Sequence, residues 1–126
     1  MKIKTSELTG AALDWAVAKC EEVEVELSEL YPPDAPKQVY MVVMVTDFED
    51  ESPEYNPSTD WQLAGPIIER EGIELERAER WQSRKLWIAQ CGTAARIIGP
   101  TPLIAAMRCY CASKLGDEVE ITEELK

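Results

Sequence analysis

Gly99-Pro100-Thr101-Pro102-Leu103-Ile104-Ala105-Ala106-Met107-Arg108-Cys109-Tyr110-Cys111-Ala112-Ser113-Lys114-Leu115-Gly116 reads as a helix with both ends specified. Thr101 is a good N-cap, and Pro102 suits the first helical position, where its missing N–H is not needed. Gly116 supplies the residue past the last turn, and Lys114 places a cation where the helix dipole favours one. The residues between are apolar on nearly every side, so the helix is expected to be buried almost all round. Arg108 is the exception. A lone buried guanidinium costs several kcal/mol, so Arg108 must be paired, reach the surface or bind an anion. Asp14, Asp60 and Glu69 are its candidate internal partners.

Working outward, residues 3–5 suggest a short opening strand. Thr9 is placed to cap a helix over residues 10–20, with Leu8 and Leu13 as a hydrophobic staple. Leu13, Ala16, Val17 and Cys20 form one apolar stripe at helical spacing, and only Asp14 and Lys19 interrupt the apolar surface. Residues 22–27 alternate acid and apolar, the pattern of a half-exposed strand. Residues 38–46 are rich in valine and apolar on both faces, which predicts a central strand. The acidic stretch 47–58 contains two prolines and reads as a mobile loop. Asp60 or Thr59 can cap a short helical turn, and Gly65-Pro66 then opens a second short helix that Gly72 ends. Residues 85–91 and 119–121 predict further strands. The sum is a single α+β domain over residues 1–126, with about three helices packed on a small, mainly antiparallel sheet.

Composition narrows the chemistry. There is no histidine, which removes Ser–His, Cys–His and His–metal arrangements. The four cysteines, Cys20, Cys91, Cys109 and Cys111, contain no Cys-x-x-Cys pair, so neither a structural zinc site nor any other metal is expected, and the thiols should be free. The net charge of −11 disfavours duplex DNA binding. Acids cluster at residues 21–29, 47–54 and 117–124, which reads as solvated faces, with a nucleic-acid mimic as the sharper alternative. Asp47, Glu49, Asp50 and Glu51 lack the glycine and ligand spacing of a calcium loop. No apolar run approaches the roughly 20 residues of a membrane span, and the start lacks a hydrophobic leader, so a cytoplasmic protein is expected. No cofactor is implied.

Two constellations remain. Asp60 beside Trp61 offers a hydrogen-bond acceptor next to a stacking plate, and Arg70 offers a bidentate cation. With Trp87, the Thr101 helix end and Arg108, these residues would line a pocket for a small anionic ligand of nucleotide size. Trp81, among Arg80, Gln82, Ser83, Arg84 and Lys85, reads as a partly exposed aromatic.

Residues Thr59-Asp60-Trp61 through Gly65-Pro66-Ile67-Ile68-Glu69-Arg70 resemble the phage NinX family. So do Gly99 through Arg108, the opening Lys4-Thr5-Ser6-Glu7-Leu8-Thr9-Gly10, the helix residues Ala12 through Ala18, and Leu115-Gly116-Asp117-Glu118-Val119. The resemblance implies an accessory protein of temperate phages and prophages, acting in the bacterial cytoplasm, and carries over no catalytic residues. By analogy with small phage proteins that counter host defence, the expected function is non-catalytic sequestration of a cyclic or ADP-ribose-type nucleotide signal, by a homo-oligomer. The alternative is an acidic protein-interaction module or nucleic-acid mimic that inhibits a DNA-acting enzyme.

Overall fold

The computed structural model describes residues 2–30, 39–46, 53–78, 86–92 and 96–125. Within them the chain forms β1 (Lys2–Lys4), α1 (Gly10–Glu21), β2 (Val25–Leu30), β3 (Val39–Met44), α2 (Trp61–Glu71), β4 (Ile73–Ala78), β5 (Leu86–Cys91), β6 (Ile97–Gly99), α3 (Pro102–Leu115) and β7 (Glu118–Glu120). Short 3-10 turns follow β1 and β7. The α+β expectation holds. All strand pairs are antiparallel, divided among three small sheets: β1–β7, β2–β3 and β4–β5–β6.

Helix α3 is the hub. It packs on α1 and α2, lies across β4, β5 and β6, and touches β7. Leu103, Ala105, Ala106, Met107, Cys109, Tyr110 and Cys111 are buried, as its composition requires. Its small residues let neighbouring backbones come close. The tightest approach is to Gly99 at the end of β6, where a Cβ would lie 2.5 Å from the Ala105 nitrogen and 2.8 Å from its Cα. Thr101 caps the helix, its hydroxyl accepting from Ile104 N–H at 3.1 Å. Cys109 and Cys111 point to different neighbours: Cys111 meets the Cys20 thiol, and Cys109 lies beside Cys91.

Leu8 and Leu13 are both fully buried at the start of α1. Thr9 holds the N-cap position, but its side chain makes no capping bond; only its carbonyl is used, by Leu13 N–H. The strand predicted over 22–27 forms at Val25–Leu30, because the left-handed Glu22 (φ 57°) closes α1 and delays it. β3 pairs with β2 on one side and receives a single bridge from Glu54 on the other. Within the acidic stretch read as a mobile loop, residues 47–52 lie outside the described residues. The remainder is packed: Tyr55 N–H donates to Val42 C=O at 2.8 Å, and Tyr55, Pro57 and Ser58 are buried.

The two short helices expected around Gly65-Pro66 are one continuous helix. Pro66 removes a single N–H from the ladder, and Gly65, lacking a Cβ, escapes the clash that bars other residues from helical geometry before proline. Asp60 caps α2, Oδ1 accepting from Gln62 N–H at 2.9 Å. Gly72 ends it in the left-handed region (φ 62°). Residues 79–85, including Trp81, lie outside the described residues.

Candidate functional site

The structure separates the expected site residues into two groups. Trp61 and Thr101 line one cleft; Asp60 beside them spends its carboxylate on capping α2, and Arg70, Trp87 and Arg108 are committed to the fold. Trp87 is half-buried in β5, opposite Gly99 and Arg77, and packs against the core.

Among the described residues Arg108 makes no ion pair with a carboxylate. Its Nε donates to Leu8 C=O at 2.6 Å and its Nη1 to Ile98 C=O at 3.0 Å, so neither Asp14, Asp60 nor Glu69 is its partner. The physical reason lies in its neighbours. Leu8 falls between a 3-10 turn and α1, and Ile98 lies in a three-residue strand, so both leave backbone acceptors toward α3. Burial pulls the Arg108 pKa down, and Glu7 opposes that shift. Arg108→Met, which keeps much of the apolar stem, is expected to cost about 2 kcal/mol by leaving two carbonyls without donors. Thermal unfolding checks this, and phosphate should shift wild type and variant equally.

Arg70 is likewise occupied. It grips Glu21 with two bonds, Nη1–Oε1 at 3.0 Å and Nη2–Oε2 at 2.6 Å, and its Nε reaches Glu71 at 3.0 Å. Tyr110 donates to Glu21 at 2.5 Å, and Lys114 holds Glu71 at 3.2 Å. Hydrogen bonds from Arg70, then from Tyr110, hold the Glu21 carboxyl below its usual range despite partial burial. This network ties together the C-terminal ends of α1 and α2 and the last turns of α3.

The first cleft, of about 250 Å3, is lined by Ser58, Thr59, Trp61, Thr101, Pro102, Leu103 and Ile104. Trp61, the first residue of α2, is 54% exposed. The amino end of α3 opens into the same cleft. There Pro102 has no N–H, Thr101 takes those of Ile104 and Ala105, and Leu103 N–H has no acceptor among the described residues.

A second cleft, of about 240 Å3, lies on the other side of the Ser58–Thr59 wall. Its floor is Asp14, which sequence reasoning considered only as a partner for Arg108. Asp14 is 6% exposed and accepts from Ser58 N–H at 2.9 Å. Burial pushes its carboxyl up to about 6, against the opposing pull of Ser58, while Glu54 adds repulsion. The signal for Asp14 was its place as the lone acid of the alanine-rich helix expected over residues 10–20.

A larger cleft, of about 660 Å3, is lined by Lys4, Arg96, Asp117 and Glu118 among others, so its opposite charges balance. Among the described residues no group of three or more His, Cys, Asp or Glu side chains is placed to hold a metal. Among the described residues no helix is long and apolar enough to cross a membrane.

A small α+β domain built round one buried helix, with one cleft beside that helix's first turn and a second beside α1, is what the fold and site define. The chain belongs to the family described as Bacteriophage P22, NinX, whose model matches residues 4–114. No curated protein matches the chain.

Proposed function

We propose that the protein is a non-catalytic phage accessory protein that captures a small, ring-bearing ligand of nucleotide type, a defence signal of the host, in the cleft beneath Trp61. The observation that carries this reading is the position of the Trp61 ring, more than half exposed at the mouth of a cleft that ends on the first turn of α3. A flat base stacks on such a face, and the Leu103 N–H with the helix dipole favours a phosphate at the other end. Arg70 and Arg108 play no part, since both are held by partners of their own. Stacking and hydrogen bonding suffice for capture without breaking a bond.

The test is thermal unfolding against a panel of cyclic and ADP-ribose-type nucleotides. A bound member at 100 times its Kd should stabilise the protein by about 2.7 kcal/mol. Trp61→Ala removes the stacking plate and little else from an exposed position. It should weaken that binding by 10-fold or more, on a stacking energy of about 1–3 kcal/mol, and leave the unliganded melting temperature nearly unchanged. Absence of a shift with every member at millimolar concentration would sink the reading.

A further inference from the structure

The Asp14 cleft adds a chemical demand of its own. Ser58 is 2% exposed, and its hydroxyl, beside the Asp14 carboxylate, has no hydrogen-bond partner of good geometry among the described residues. Asp14 Oδ1 accepts from Ser58 N–H, and the nearby Ser58 hydroxyl adds a further, weaker pull on the carboxylate. Glu54 stands at the same cleft, and among the described residues no lysine or arginine lines it. A buried carboxylate held only by Ser58 and facing a second carboxylate calls for further donors. An anion does not supply them, and an apolar group leaves the carboxylate desolvated and unpaired.

We propose that this cleft is a subsite for a guanidine-type edge, two parallel N–H donors set side by side. Such an edge meets both oxygens of a carboxylate in a planar, bidentate pair. Arginine carries it, and so does the ring of guanine, through N1–H and the exocyclic amine. Because Ser58 and Thr59 wall both clefts, a ligand that reaches over that wall could set a guanine edge on Asp14 while another part of it lies toward Trp61. The proposal rests on the nucleotide reading for its choice of base, but the subsite is testable without it.

Two measurements on the full chain at pH 7.5 decide the matter. In the first, amide NMR follows titration with methylguanidinium chloride, with sodium acetate as the control. Saturable shifts centred on Ser58 and Thr59 are expected with methylguanidinium and not with acetate. Asp14→Asn should weaken that binding at least tenfold, and Ser58→Ala, which keeps the backbone bond to Asp14, at least threefold. In the second, guanosine, inosine and adenosine monophosphates are compared. The guanine compound should bind at least tenfold more tightly than inosine monophosphate, which lacks the exocyclic amine, and than adenosine monophosphate.

Methylguanidinium binding that depends on Asp14, without binding of any nucleotide, upholds the subsite and overturns the nucleotide reading. Nucleotide binding that needs Trp61 but is indifferent to base and to Asp14 does the reverse. Equal binding of methylguanidinium by wild type, Asp14→Asn and Ser58→Ala overturns the subsite outright.

Discussion

Gly99→Ala should cost the fold about 3 kcal/mol, at the upper end of what overpacking a close-packed core ordinarily costs, and lower the melting temperature by roughly 10 °C. The added methyl would sit 2.5 Å from the nitrogen and 2.8 Å from the Cα of Ala105. Both are backbone atoms of a capped helix, so no side-chain rotation relieves the clash; β6 must separate from α3. A second substitution makes the cause visible. Ala105→Gly in the same chain clears only the 3.1 Å contact with the Ala105 side chain. The double variant should therefore remain as unstable as Gly99→Ala or worse, since glycine also weakens the helix by about 1 kcal/mol. Recovery to wild-type stability would show that the side chain, not the backbone, sets the spacing.

The opposite sign is expected at Asp14. Its carboxyl is raised from an ordinary 3.8 to about 6, chiefly by burial, so the folded chain favours the protonated form. Between those two values the folded state holds more protons than the unfolded state, and stability falls as pH rises through that window. The loss, up to about 3 kcal/mol, is complete above the upper value and absent below the lower one. Asparagine resembles the protonated acid and can still accept from Ser58 N–H. Asp14→Asn should therefore match wild type near pH 3.5 and exceed it by about 2 kcal/mol at pH 7.5, roughly 5–10 °C in melting temperature. Melts taken across that range check the prediction; a constant difference at every pH would show that packing rather than charge separates the two proteins. A variant that is more stable and binds less would mark Asp14 as a residue kept for what it binds.

These sites differ in how far the sequence announces them. Helix α3 was legible because its start, stop and burial are all local: Thr101, Pro102, Gly116 and the apolar run need no knowledge of the rest of the chain. The strands were legible as segments, less so as edges. Gly65-Pro66 misled because the signal that ordinarily breaks a helix is here tolerated within one. The partners of Arg108 were illegible for a different reason. They are carbonyl groups, which every residue carries and no sequence pattern marks. Arg70 looked free because Glu21 and Tyr110 lie far from it along the chain and meet it only once α1 and α3 have packed. Asp14 was conspicuous as a lone acid, but Ser58, which turns it into a site, is 44 residues away.

The pairing of β1 with β7 bears on how the chain is made. Ile3 stands opposite Val119, and the Thr5 hydroxyl donates to Gly116 C=O at 2.9 Å. Contacts so distant in sequence close the largest possible loop, and such closures slow folding. On the ribosome β1 must wait for β7, made more than 100 residues later. The hub helix, too, is synthesised after nearly everything that packs on it. The core of this domain thus closes late, once α3 and β7 are both made, and β1, made long before them, is among its last parts to find its place.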